Sequence, residues 1–380
     1  MNNTKRVEFL MKSKGKNILM VLCIIIIAIL TGVGGFFAFN AYSINKKTKM
    51  TFNEMLAFTT NNNDTALITV GFIKNGKTSC MLYGKNGAEL PYSEHIYEIG
   101  SVTKTFTASL LFKAIIDGKI MLDDSIDEYL DLPPKDYYPT IKRLITHTSG
   151  YKSYYINKQF VLNYFRGKNV FSNFSKNDLI ERLERINLID KDYSFNYSNL
   201  GIAAIGAVIS EIYKVEYTAL MNKFITVELG LPNTKISNGS GDLEKYWNWM
   251  GNDAFIPAGA LVSTIDDMLK YAQLQMSGTN KYLSSTQKIL ANVNVTSTQN
   301  ENMNIHIDSM GAAWIIDEHN NIVWHNGGTG HYNCYIGFDM DKQIAVVILS
   351  NLPPGYRIPA TVMGIKLLND LKNETFDFMK

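Results

Sequence analysis

The spacing of apolar and polar positions changes several times along the chain, and each change marks an element. Ile18 to Phe39 is an uncharged stretch of 22 residues, long enough as a helix to cross ~30 Å of hydrocarbon. Phe52, Met55, Leu56 and Phe58 then recur on one side of a short amphipathic helix that ends at Asn61 to Asp64. In "TALITVGFIKNGKTSCMLYGKNG" two strand-like runs flank "KNGK", where Asn75-Gly76 suits a tight hairpin turn. From about Val102, Phe106, Leu110, Leu111 and Ile115 keep helical spacing up to a cap near Gly118. Residues 120 to 290 read as helices and loops. "DLPPKDYYP" is a loop, "LIERLERINLI" an amphipathic helix, and "SNLGIAAIGAVISEIYK" an apolar helix whose small residues suit tight burial. "STIDDMLKYAQLQMSG" is a further helix, with Ser263 or Thr264 as cap and acids in its first turn. Strands return in "GAAWIID", "NIVWHNGG", "CYIGFDM" and "QIAVVILSN", with a hairpin turn at "DMDKQ" and a last helix from about Ile358 to Leu371.

Strands at both ends and helices between them predict a mixed α/β fold of the α+β kind. One antiparallel sheet is formed by N- and C-terminal segments, a mainly helical region is inserted, and one transmembrane helix precedes it. No internal repeat interrupts this order. The segments are a basic leader over 1–17, the membrane span over 18–39, a linker over 40–50, the folded domain over 51–372 and a tail over 373–380.

Charge changes the picture mainly at the N-terminus. Lys5, Arg6, Lys12, Lys14 and Lys16 precede the apolar span, against Lys46, Lys47 and Lys49 after it. The heavier positive flank places the N-terminus in the cytoplasm and everything after about residue 40 outside, on a single-pass anchor in the cell membrane. A cleaved signal peptide is the competing reading, but "GFFAFNAYS" offers no clean small-x-small site. Bulky Leu22 argues against lipidation of Cys23. Elsewhere the 380 residues are 46% hydrophobic, 19% charged and nearly balanced at formal +2, which fits an ordered domain and not a nucleic-acid binder. Cys23, Cys80 and Cys334 are too few for a disulfide framework; one Cys80–Cys334 bridge is the alternative to the expected state, free buried thiols at both positions. The six histidines lack metal-ligand spacing, so neither a metal nor a cofactor is expected.

The chemistry enters with "EIGSVTKTFTASLLFKAI". Ser101 and Lys104 are three residues apart at the mouth of a helix, so they share a face. A serine hydroxyl is a poor nucleophile until a base takes its proton, and a desolvated amine can serve. Ser-x-x-Lys occurs five times, at Ser13, Ser43, Ser101, Ser149 and Ser285, so the spacing alone says little. Only Ser101 follows a strand-like run and opens a long apolar helix. Tyr197-Ser198-Asn199 stands just before the buried helix, and His325-Asn326-Gly327 lies on a late strand. Taken alone, Tyr197 fits a buried anchor and His325 a hydrogen-bonded strand histidine.

In order and setting the three motifs resemble those of the serine β-lactamase and penicillin-binding-protein superfamily. The match is closest to its class C-like branch of D,D-peptidases, D-aminopeptidases and family VIII-type esterases. "GSVTKTFTA", "YSN" and "HNGG" stand for the three motifs, and "LITHTSGY" and "PAGALVSTIDDM" resemble accessory signatures of the branch. The resemblance covers about residues 50–370. It implies that Ser101 is acylated, that Lys104 helps take its proton, and that Tyr197 relays protons to the leaving group and the deacylating water. It leaves open which of Lys104 and Tyr197 is the base. It further implies that Asn199 positions the substrate amide or Lys104, and that His325, where many members have lysine, orients Tyr197 and binds the substrate's acidic end or carbonyl. The backbone N–H groups of Ser101 and Gly328, beside Gly327, would form the oxyanion hole. A His325 of ordinary pKa near ~6.5 would lose its charge, and with it some binding, as pH rises through neutrality. His147 reads as a structural loop or helix-cap partner, and His331 as either a wall of the site or a residue turned away. The expected protein is a membrane-anchored extracytoplasmic serine hydrolase acting on amide or ester bonds of small-molecule or cell-wall peptide or ester substrates, D-amino-acid or peptidoglycan groups first. The alternatives are a non-hydrolytic penicillin-binding sensor, a β-lactamase or a pseudoenzyme. The absence of a class A glutamate motif disfavours efficient β-lactam hydrolysis.

Overall fold

The computed structural model describes residues 50–153 and 158–376. The predicted span over 18–39 lies outside them, as do the leader, the linker up to residue 49 and the last four residues of the tail. Among the described residues no helix is long and apolar enough to cross a membrane.

The N-terminal hairpin forms as the pattern predicts. Strands β1 (Ile68–Lys74) and β2 (Lys77–Tyr83) pair antiparallel, and Asn75 and Gly76 take the left-handed backbone (φ 54° and 72°) that a two-residue turn needs. β3 (Glu89–Leu90) extends this edge. Short strands β4 (Tyr97–Glu98), β5 (Lys235–Ile236) and β6 (Leu261–Ser263) form a separate sheet in the order β4-β6-β5. At two or three residues each they are too short to leave a periodic trace in the sequence. β7 (Ala291–Val295), β8 (Ile307–Met310), β9 (Ile315–Asp317), β10 (Ile322–Gly328), β11 (Asn333–Asp339) and β12 (Ile344–Ser350) complete the large sheet. Its nine strands, among the described residues, run β3-β2-β1-β12-β11-β10-β9-β8-β7. β1 is zipped to β12 with Ile68 opposite Ser350, so the two ends of the domain close one sheet.

Both faces of that sheet are covered, which is why β11 and β12 are buried along their whole length and read as unbroken apolar runs. Helices α1 (Phe52–Thr60) and the C-terminal helix Ala360–Lys372 cover one face, where Phe52, Val70, Ile348 and Leu368 share a core. The inserted helices cover the other, with Phe106, Ala272, Val347 and Leu349 in a second core. Its central helix, α2 (Thr103–Ile116), is buried on nearly every side. α3 (Lys158–Phe165) belongs to the same inserted region, in which α4 (Asn199–Tyr213) and α5 (Ile265–Met276) pack against α2. Gly206 of α4 is glycine because a Cβ there would lie 2.1 Å from the Pro257 ring. Cys80 and Cys334 are both free thiols, and only Cys334 is buried.

Candidate active site

Ser101 sits in a 3-10 turn, Gly100–Val102, that leads straight into α2. This turn is pressed against the end of β10. Gly100 has φ +46°, and a Cβ on it would lie 2.6 Å from Gly328 N. A Cβ on Gly327 would lie 1.9 Å from Ile99 O, and Cys334 Sγ donates to that same carbonyl at 3.0 Å. The glycine pair after His325-Asn326 therefore lets two backbones meet without side chains between them.

The second support of α2 is the Pro257-Ala258 segment. Thr107 Oγ1 donates to Pro257 O at 2.7 Å, Thr103 Oγ1 accepts from Leu261 N at 3.1 Å, and Lys104 Nζ donates to Ala258 O at 2.6 Å. Lys104 is fully buried and its Nζ lies 2.9 Å from Ser101 Oγ, with no carboxylate partner among the described residues. Burial alone pushes its pKa well below the ordinary lysine value, because the charged form has lost its water. An uncharged amine that gives one N–H to Ala258 O can turn its lone pair to the serine proton.

Tyr197 is held over this pair by the loop before α4. Ser198 caps α4, accepting from Gly201 N at 3.0 Å, and its own N–H donates to His147 Nδ1 at 3.1 Å. Asn196 N donates to His147 O at 2.8 Å. His147, in the left-handed region at φ 60°, thus fixes the tyrosine loop from both sides, the structural part the sequence suggested. The Tyr197 ring lies 4.5 Å from the His147 ring, 6.4 Å from the His325 ring and 4.9 Å from Lys104 Nζ. Asn199 is buried at the cavity wall and donates to Ser153 Oγ at 3.4 Å, not to Lys104.

His325 corrects one expectation. It is buried, and its Nδ1–H donates to Asn326 O at 2.6 Å, which leaves the lone pair on Nε2. Burial, and then the neighbouring Lys104, push its pKa down to about 3. It is therefore uncharged across the neutral range, and the predicted loss of charge near neutrality does not occur. Neither His325 nor Gly327 lines the cavity, whereas Ser101, Tyr197, Asn199 and Gly328 do. His331 also lines it, which settles its direction.

The cavity measures about 550 Å³. Its far wall is aromatic, and the sequence did not reveal it: Phe171 stands 4.9 Å from Phe255 and near both Trp247 and Trp249, between ring centroids. A second missed residue is Glu98, three positions before the nucleophile. It is buried, and its carboxylate accepts from Trp247 N–H and Thr329 Oγ1, tying the aromatic wall and the loop after β10 to β4. Burial raises its pKa to about 7, against these two hydrogen bonds.

The family model described as Beta-lactamase matches residues 62–361. Over 300 residues the chain is 22% identical to Protein flp of Staphylococcus aureus (strain N315), covering 73% of this chain and 57% of that protein. It is 29% identical over 227 residues to a beta-lactamase of Providencia stuartii, covering 55% of each. The chain thus spans little more than half the length of these curated relatives. Among solved structures, the octameric penicillin-binding protein homologue from Pyrococcus abyssi superposes with a TM-score of 0.66 at 21% identity, covering 84% of this chain and 75% of that one. A beta-lactamase/D-alanine carboxypeptidase from Yersinia pestis, complexed with citrate, gives 0.66 at 19% identity, covering 84% and 96%. At these identities the structural likeness is one of fold.

Proposed function

Because the chain belongs to the beta-lactamase family, within the serine β-lactamase and penicillin-binding-protein superfamily, we propose that it is a serine hydrolase working through an acyl-enzyme on Ser101. The observation that carries this reading is the buried, carboxylate-free Lys104 amine 2.9 Å from Ser101 Oγ, beside an open cavity. Lys104 Nζ takes the serine proton as Oγ attacks the carbonyl carbon of an ester or amide. The backbone N–H groups of Ser101 and Gly328 hold the oxyanion, and losing one such donor costs ~10²–10³ in rate. Tyr197, packed between Lys104, His147 and His325, passes a proton to the departing alkoxide or amine. Water then attacks the acyl-enzyme, and the proton it releases returns through the same groups.

D-amino-acid or peptidoglycan-related amides and esters are the first substrates to consider, in a D,D-peptidase or esterase type of reaction. Support comes from relatives whose names include D-alanine carboxypeptidase and penicillin-binding protein homologue. A screen of the full chain with D-alanyl peptides, short esters and β-lactams tests this. Turnover of an ester or D-alanyl peptide is the expected result. A penicillin adduct that forms and persists, with no turnover of any member, would instead favour a penicillin-binding sensor, and rapid β-lactam hydrolysis a lactamase.

We also propose that residues 18–39 anchor the protein in the cell membrane with the catalytic domain outside. The uncharged length and the heavier basic flank before it support this. About ten residues then separate span and domain, a reach of at most ~35 Å. Recovery of a soluble mature form lacking the first 40 residues would refute the anchor.

A further inference from the structure

A second cavity, of about 470 Å³, adjoins the first across Trp247, Lys168, Gly167 and His331, which line both. The two differ in chemistry. The cavity at Ser101 is walled by aromatic rings. The one beyond Trp247 is lined by Arg166, Lys168, Lys245 and side-chain amides. No acidic side chain lines either cavity among the described residues.

The three cations are presented by two segments that are tied together. Asn163, buried in α3, donates to Asn169 O at 2.8 Å and closes the Arg166–Lys168 turn. Asn169, also buried, donates across to Asn248 O at 3.1 Å. Lys245 follows on that second segment in the left-handed region, at φ 64°. Arg166, Lys168 and Lys245 are exposed and take part in no ion pair among the described residues, although surface lysines and arginines elsewhere, such as Lys176 and Arg185, do. The buried carboxylates bonded to the lining segments of this second cavity are engaged by backbone N–H groups: Asp253 accepts from Asn173 N and Met250 N, and Glu98 from Trp247 N. In a chain of formal charge +2, three unpaired cations on one concave surface concentrate a positive field that only a bound anion offsets.

Of the three cations only Lys168, at the boundary, also lines the cavity at Ser101, and His325 is buried and lines neither cavity. Resting on the hydrolase reading above, we propose that the substrate is amphiphilic, with an apolar part in the aromatic cavity at Ser101 and a phosphate-ester group in the cation-lined cavity beyond Trp247. A phosphate monoester carries close to two negative charges at neutral pH and several acceptor oxygens, which suits three separate cations better than a single carboxylate does.

Binding to the full chain carrying Ser101→Ala tests this without turnover. The probes are 3-phenylpropyl phosphate and the uncharged 3-phenylpropanol, titrated by calorimetry and by the fluorescence of Trp247 and Trp249. The phosphate should bind about tenfold more tightly at low salt, the sum of three modest charge pairs. The advantage should shrink as salt rises and fall to near onefold in Arg166→Gln/Lys168→Gln/Lys245→Gln. Should that triple variant not fold, Lys168→Gln and Lys245→Gln, one on each segment, should each remove part of the advantage. Equal affinity for the two probes, an advantage that survives these substitutions, or no binding of either probe would overturn the proposal. Covalent labelling of wild-type Ser101 is measured separately: labelling with equal probe affinities would refute the phosphate site alone, and selective phosphate binding without labelling would refute the hydrolase alone.

Discussion

Among the described residues Lys104 has no carboxylate partner to hold its proton, and burial lowers its pKa. Only the uncharged amine can accept the serine proton, so acylation should slow as pH falls through that lowered pKa. His325, pushed down to about 3, is already neutral between pH 5 and 8. His325→Gln should therefore leave the shape of the kcat/KM profile between pH 5 and 8 unchanged, whatever it does to the absolute rate. An inflection near neutrality in wild type that vanishes in the variant would contradict this. Tyr197→Phe keeps the ring that packs on His147 and removes only the hydroxyl. Stopped-flow acylation should show a rate lower by roughly 10²–10⁴ with little change in thermal midpoint. Near-wild-type kinetics would leave Lys104 as the sole base. At this scale the grouping of Ser101, Lys104, Tyr197 and His325 was legible in the sequence, because three weak motifs stand in a fixed order. The charge state of His325 was not, because it depends on burial by segments remote in the chain.

The element that positions the nucleophile is the Gly100–Val102 turn, held between the end of β10 and the Pro257-Ala258 segment. The glycine pair at 327 and 328 was visible in the sequence, and glycines within a strand signal a close backbone approach. What approaches them, Ile99 and Gly100, is more than 220 residues away, which no periodicity records. Glu98 belongs to the same junction. Its carboxyl titrates at about 7 in the folded protein, against an ordinary value of 4.5. A pKa raised by folding gives stability that is present below about 4.5 and lost as pH rises to about 7. The loss is on the order of 3 kcal/mol, from ~1.4 kcal/mol for each pH unit of difference. Glu98→Gln keeps an acceptor for Trp247 N–H but cannot ionise. Between pH 5 and 8 its thermal midpoint should fall less than that of wild type. Parallel curves for the two proteins would show that Glu98 does not titrate in this range.

At the scale of the molecule, the two chain ends share one sheet because their apolar runs can only be covered together. β1 lies between β2 and β12, and helices lie on both faces. That architecture was legible, since apolar strand patterns cluster at both ends with helical ones between. The edge strand β7 was not, because "ANVNV" is half polar and half exposed at the margin of the sheet, and nor was its short neighbour β8. Nor was the aromatic wall, whose rings come from residues 171, 247, 249 and 255 and meet only in the folded domain. The fold thus brings a serine, a desolvated amine and an apolar cavity to one place, and the central claim is that this place forms a covalent acyl-enzyme. Intact-mass spectrometry of the full chain after exposure to a fluorophosphonate or penicillin probe tests it most directly. Wild type should gain the mass of one adduct, mapped by peptide sequencing to Ser101, and Ser101→Ala should gain none while keeping its folded circular-dichroism spectrum. An adduct on Ser101→Ala at the wild-type rate, or none on folded wild type with either probe, would contradict the account.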